Sequence, residues 1–420
     1  MYRRPSHFLW ELIQNVDDNN YVAHDPTLTI TYKIRVLRFD SNETGFTMED
    51  VEAICSMGNS SKTRSSSTRI GRKGIGFKSV FKVAESVYIA SGCYSFRFDS
   101  RESLGMMIPV WSTFPEERIA GWTSLLLHLS PECDASEILQ ELERLDSSSI
   151  LLLRRLRRVH IRIVYDGLHG KEVTFDLTRP NITCKPGELQ TLELPDSAQS
   201  PLVLYRHGVS RLPSTDSHGT NEQSDIVLVF PQPRSLSSNI TCFTFAFLPI
   251  RDYGFRVRQA FVCHADFDLV ANREDVDMSS ARNQVFLHEL PKAFLRAVHA
   301  LNSGHLRYTW PYYLPFPTTD SFFEPLPGDI ITLLSRTPML ESDAGHLMAP
   351  EKLTWVSDPY TDDHNRPLIP QDYSTFLHFS NKYHADLQER IMQLGVNVLS
   401  KTQFIEELSL FITNETHNFR

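Results

Sequence analysis

The chain has 420 residues, beyond the ~250 to 300 at which one hydrophobic core usually stops growing, so two or three domains are expected. A composition of 41% hydrophobic, 11% aromatic and 22% charged residues excludes a disordered chain, and a formal net charge of −9 argues against a protein that coats nucleic acid over its whole surface. The six cysteines, Cys55, Cys93, Cys133, Cys184, Cys242 and Cys263, are widely spread and contain no CxxC pair. That spacing argues against a zinc site or a disulfide framework and for reduced thiols in the cytoplasm or nucleus. In such a compartment the N-x-S/T triplets at Asn42, Asn59, Asn181, Asn239 and Asn414 are chance matches. The apolar run near the N-terminus is broken by Glu11 and is too short for a signal segment or a membrane span, so no membrane association is expected.

In chain order, residues 6–20 read as a helix, 28–39 as an alternating strand, and 45–57 as a helix opened by Thr47. A polar stretch, 59–69, leads into Gly71-Arg72-Lys73-Gly74-Ile75-Gly76 and an apolar helix over 77–83. Strands are predicted at 87–90, 94–98 and 123–129, the first two joined through Ser91-Gly92-Cys93 as in a hairpin. Residues 137–158 read as helical, and the arginines at 154, 155, 157 and 158 as a solvated helix face or strand edge. Strands follow near 161–165 and 226–230, with 195–223 between them read as a long Ser/Pro/Gly/Asn-rich loop. A helix is predicted over 283–301, and helical runs near 385–394 and 402–413 follow a Pro-rich aromatic stretch that starts at Tyr308.

On a helix that turns about 100° per residue, Glu11, Asn15 and Asp18 share one sector, opposite Leu9, Leu12, Ile13 and Val16. Such a helix offers a ligand two carboxylates and a carboxamide, oxygen donors of the kind Mg²⁺ accepts. Gly71, Gly74 and Gly76 directly before a helix allow backbone N–H groups to meet phosphate oxygens. Lys62, Arg64, Arg69, Arg72 and Lys73 add positive charge to that loop, although for any one of them alone a solvated flexible loop is the better explanation. A lone glycine pattern is weak, whereas its conjunction with the polar helix supplies metal, phosphate and water positions together.

Glu11-Leu12-Ile13-Gln14-Asn15-Val16-Asp17-Asp18-Asn19 resembles the N-box, and Gly71 to Gly76 with Phe77-Lys78-Ser79-Val80-Phe81 the second glycine box, of the gyrase, chaperone, histidine-kinase and MutL ATPase superfamily. Asn42-Glu43-Thr44-Gly45-Phe46-Thr47 and Gly58-Asn59-Ser60-Ser61-Lys62 resemble its sacsin and no-vein branch, as do Phe247-Leu248-Pro249, Tyr253-Gly254-Phe255 and Asn272-Arg273-Glu274-Asp275-Val276. The resemblance implies an α+β fold: a Bergerat-type sandwich over 1–135 that lacks the leading helix and strand, a second mixed domain over 150–302, and a C-terminal region over 303–420. It implies ATP and Mg²⁺ as cofactors, Glu11 as general base and Asn15 as metal ligand. Arg273 is then expected at the γ-phosphate from the second domain. The ligand-contacting set is Asn15, Asp18, Ser41, Gly45, Lys62, Gly71, Gly74, Ile75, Gly76, Phe77 and Thr123, with 59–73 as a lid.

The superfamily's first glycine box begins with an aspartate that reads the adenine amino group, and Ser41 stands at the position matched to it. Asp40 is one residue away and therefore on the other strand face. Weak base discrimination is expected from this. Two functions remain open: a chaperone-like module with slow Mg-dependent ATP hydrolysis, or a nucleotide-binding scaffold without turnover. A histidine kinase is disfavoured, because no dimerisation helix with an acceptor histidine precedes the motifs. A protein client or partner is expected, but neither its identity nor the oligomeric state follows from these residues.

Overall fold

The computed structural model describes residues 7–55, 77–165, 171–194, 201–213, 222–232, 244–246, 248–251, 261–270, 275–315 and 321–418. It is a mixed α+β protein. Its N-terminal part comprises α1 His7–Asp17, β1 Thr27–Lys33, β2 Val36–Ser41, α2 Met48–Cys55, the 3-10 helix Phe77–Lys82, β3 Ala84–Ser91, β4 Tyr94–Asp99, β5 Val110–Trp111, β6 Thr123–Leu129, α3 Ala135–Arg144, β7 Arg158–Val164 and β8 Glu172–Thr178. The strands form one sheet in the order β5-β4-β3-β6-β2-β1-β7-β8. All neighbours are antiparallel except β1 and β7, which run parallel. Phe8, Leu9, Leu12 and Ile13 of α1 and Ile138 and Leu142 of α3 close one face into a shared core with Leu28, Ile30, Phe39 and Val87. Trp10 Nε1 donates to Glu141 Oε1 at 2.9 Å, tying α1 to α3.

Several elements differ from their sequence expectation for local reasons. The strand expected over 28–39 is a hairpin, turning at Ile34 (φ 29°) and Arg35 (φ 63°). Neither residue signals a turn, and Ile34 is β-branched. The turn is anchored instead by Arg35, whose guanidinium donates to the Ser130 and Cys133 carbonyls while its own carbonyl accepts from Leu129 N. The helix expected over 137–158 stops at Arg144, where Asp146 Oδ1 accepts from Ser149 N at 2.9 Å and Ser148 Oγ at 2.6 Å, a local bond that competes with helix continuation. The segment after Gly76 is a 3-10 helix rather than an α-helix. Thr47 opens α2 as expected: its N–H donates to Asp50 Oδ2 at 3.0 Å, and Asp50 N donates back to Thr47 Oγ1 at 3.3 Å. Strands β7 and β8 fall within the range expected for the second domain, yet they extend the first sheet.

The second sheet, ordered β13-β12-β14-β11-β10-β9, contains β9 Leu189–Leu192, β10 Leu202–Leu212, β11 Glu222–Pro231, β12 Thr244–Ala246, β13 Leu248–Arg251 and β14 Val262–His264. Strand β10 lies in what was expected to be a loop. Its Val203 and Tyr205 enter the core under α4 (Ala281–Leu301), while Leu202 and Leu204 face Leu151 and Leu152 on the other side. A strand buried on both faces reads as a short continuous apolar run, here overshadowed by its polar flanks. The core under α4 continues without a break through Trp310 and Tyr313 to α5 (Leu326–Ser335) and on to Leu387 and Val396. Beyond α5 lie the pairs β15 (Leu340–Glu341) with β16 (Leu347–Met348), and β17 (Leu353–Trp355) between β18 (Leu377–His378) and β19 (Asn397–Val398), then α6 Gln388–Gln393 and α7 Lys401–Asn418. Among the described residues no helix is long and apolar enough to cross a membrane.

Glu341 is buried in this last region with Lys382 Nζ and Arg307 Nη2 each at 2.8 Å and the Tyr308 hydroxyl donating at 3.1 Å. Burial pushes its carboxyl upward, but these partners outweigh burial and hold it below the usual carboxylate range. A depressed folded value contributes stability that is complete above the unfolded value of about 4.3 and is lost as pH falls through the folded one. In acid titrations followed by circular dichroism, Glu341→Gln is therefore expected to be less stable than the parent at neutral pH and to lose less on acidification. Parallel acid profiles for the two proteins would contradict this.

Candidate nucleotide site

A cavity of about 660 Å³, counting its open mouth, lies between α1 and the sheet. From α1 its wall takes Leu12, Asn15, Val16 and, just past the helix end, Asn19. Strand parity supplies the floor, because Phe39 and Ser41 of β2 stand directly opposite Leu125 and Thr123 of β6, and Ile89 of β3 is on the far side of Leu125. Glu43 and Phe46 enter from the turn after β2, Ile54 from α2, and Phe77 from the 3-10 helix. The result is an apolar slot with a few polar groups, the usual form of a small-molecule site.

One hydroxyl behind the wall organises its polar end. Ser91 Oγ is fully buried, accepts from Phe46 N at 2.8 Å, and lies 2.7 Å from Thr123 Oγ1. It thereby ties the turn carrying Glu43 to the strand carrying Thr123. Gly45 makes that turn possible: its φ of +90° is strained for any side chain, and an added Cβ would stand 3.4 Å from Ser91 Oγ. Glu43 is 4% exposed. Burial first, then the Glu43 and Asp17 carboxylates, push the Tyr21 phenol far above its ordinary value, so it remains a neutral donor, to Val16 O at 2.7 Å.

Asp40 is turned away, as its parity with Ser41 requires. Its carboxylate accepts from Arg38 Nε at 2.8 Å and from Ser124 Oγ at 2.6 Å on the opposite sheet face, where Arg38 also reaches Glu116. The carboxylate that does enter the cavity is Glu43. Glu43-x-Gly45 is an acid followed two residues later by a glycine of positive φ, and Ser41, the position matched to the adenine-reading aspartate, lines the same cavity.

The helix presents a different face from the one expected. Asn15 lines the cavity, but Glu11 and Asp18 do not; Glu11 is buried and Asp18 half-buried, while Leu12 and Val16 form wall as well as core. The cavity face is thus turned by about a quarter turn from the most polar sector, since Leu12 is one residue, about 100°, around from Glu11. Of the other expected contacts, Ser41, Phe77 and Thr123 meet in the cavity, and Gly45 shapes its turn. Lys62, Gly71, Gly74, Ile75, Gly76 and Arg273 lie outside the described residues, as does the whole lid segment 59–73.

Asp17, which the sequence reading passed over, fixes the end of α1. It is 1% exposed; Oδ2 accepts from Arg154 N and Oδ1 from Arg155 N and Leu156 N, each at 2.8 Å. Arg155 Nη1 in turn donates to the Asp18 carbonyl at 3.0 Å, the Asn19 carbonyl and Asn20 Oδ1 at 2.9 Å. Instead of a plain solvated edge, then, the arginine cluster is built into the fold, with Arg154 facing Asp266 at 3.7 Å and Arg158 pairing with Asp25 at 2.8 Å.

Residues 39–113 match the model of the Sacsin domain, a span that includes Phe39, Ser41, Glu43, Phe46, Ile54, Phe77 and Ile89 of the cavity. Over 392 residues the chain is 29% identical to Protein NO VEIN of Arabidopsis thaliana, an alignment covering 84% of this chain and 14% of that protein's length. In sequence the chain is therefore sacsin-like and NO VEIN-like, and it spans a small part of the relative it matches.

Proposed function

We propose that the cavity binds the base of ATP, that Mg²⁺ accompanies the phosphates, and that the chain is a chaperone-like module which hydrolyses ATP slowly and closes a lid over it. The observation that carries this reading is the slot itself. Aliphatic and aromatic walls from α1 and the sheet suit a flat heterocycle, and a carboxylate and two hydroxyls, Glu43, Ser41 and Thr123, are gathered at its polar part. Glu43 is a natural acceptor for an exocyclic amino group, and its presence favours firmer base selection than Ser41 alone would provide. Among the described residues no cluster of His, Cys, Asp and Glu could hold a metal by itself. The fit is instead with an ion held largely by phosphate oxygens and water, as Mg²⁺ commonly is, with the Asn15 carboxamide as the protein's ligand. Bound there, the ion would neutralise phosphate charge. Glu11, one helical turn before Asn15, would take the proton of the attacking water.

A second reading, binding without turnover, is favoured by one observation: Glu11 is buried and absent from the cavity wall. Thermal unfolding with ATP, with and without Mg²⁺, tests the shared part. At one hundred times the dissociation constant, ATP is expected to stabilise the chain by about 2.7 kcal/mol. No stabilisation at millimolar ATP sinks both readings, whereas stabilisation without phosphate release leaves the second.

A further inference from the structure

Asn19 is 9% exposed, lines the cavity, and places its side-chain carbonyl oxygen in the interior with no hydrogen-bond partner from the protein. Its surroundings allow it little room to relieve this. The Asn19 N–H donates to Val16 O at 3.2 Å, its carbonyl accepts from Arg155, and Asn20 O accepts from Thr44 N at 2.9 Å. Two residues back, Asp17 is held by three amides. A carboxamide on so firmly held a backbone, with a buried acceptor left unpaired on a residue that lines the cavity, is costly for the ligand-free protein, and buried acceptors are seldom left so without a reason.

We infer that Asn19 is a specificity-determining residue whose side-chain oxygen accepts a hydrogen bond from an N–H or O–H donor of the bound nucleotide. The inference rests on the nucleotide reading above and adds to it a contact that the motif resemblance did not include. Two donors of a nucleotide have this chemistry, the amino group of the base and a hydroxyl of the ribose, and analogues lacking one or the other separate them.

The test measures the affinity of the full chain for ATP, for the triphosphate of purine riboside, which lacks the amino group, and for 2′-deoxy- and 3′-deoxy-ATP. Wild type is expected to bind one of the three analogues about tenfold more weakly than ATP through loss of this bond. Asn19→Ala is expected to weaken ATP by a similar factor and to bring the ratio for that same analogue close to one. Without ligand, Asn19→Ala should be at least as stable as wild type, because it removes an unsatisfied group, whereas a residue serving only the fold would lose stability. Should Asn19→Ala not fold, Asn19→Leu, closer in volume, carries the same comparison; failure of both to fold overturns the inference. It is also overturned if ATP binds and every analogue ratio is unchanged by the substitution. If wild type binds no ATP at all, the nucleotide reading itself has failed first.

Discussion

Asp17→Ala is expected to lower the stability of the chain by about 3 to 5 kcal/mol, the range seen when one member of a buried charged interaction is removed. The carboxylate meets three backbone N–H groups of residues 154–156 at 2.8 Å, and alanine would leave all three without this acceptor, that of Leu156 in a buried place and those of Arg154 and Arg155 in part-buried ones. Each orphaned donor costs about 1 to 3 kcal/mol before relaxation, and relaxation is limited because Leu153 and Leu156 are buried on either side. Asp17→Asn keeps one oxygen but turns an N–H₂ toward a donor, so an intermediate loss is expected. Urea unfolding followed by fluorescence measures both. A change below 1 kcal/mol for Asp17→Ala would mean that the loop at 154–156 finds other partners and that Asp17 does not hold the end of α1.

Glu11→Ala is expected to reduce ATP turnover by about 10²- to 10⁴-fold, the usual contribution of a positioned general base, and to leave ATP binding within about twofold. This follows from the proposed roles: Glu11 is off the wall of the slot, so it contributes little to holding the base, while its helix carries Asn15 into it. Phosphate release at saturating ATP and thermal stabilisation by ATP separate the two quantities. If turnover is equal in wild type and variant, the base is another group. If binding falls with turnover, burial of Glu11 serves the shape of α1 rather than the chemistry.

What could be read from the residues alone divides along physical lines. Helix α1, the β3–β4 hairpin and the capped start of α2 depend on local patterns of three to eight residues, and all three are present. The opposite orientation of Asp40 and Ser41 follows from strand parity, and it too is present. The rotation of α1 was not legible, because a small-molecule slot is walled largely by apolar side chains, and the most polar sector of a helix is then a poor guide to which sector faces the cavity. Glu43 was missed because an acid two residues before a glycine is too short a pattern to stand out in sequence, and only its place in the cavity wall distinguishes it. The roles of Asp17 and Arg155 depend on partners more than 130 positions away, which no local pattern encodes.

The parallel pairing of β7 with β1 has a consequence for handling the protein in pieces. A fragment ended at residue 135 would strip β1 of its partner along seven residues, Thr27–Lys33, and leave that row of N–H and C=O groups open to pairing with another molecule. The intact sheet avoids this at both borders. One border is β5, only two residues long. The other is β8, which crosses its neighbour with Arg162 bonded to Glu172 at 2.7 Å and His160 to Asp176, charged side chains that make a poor template for a stranger's strand. Fragments that keep residues through Thr178 retain that charged border and should stay monodisperse where shorter ones aggregate.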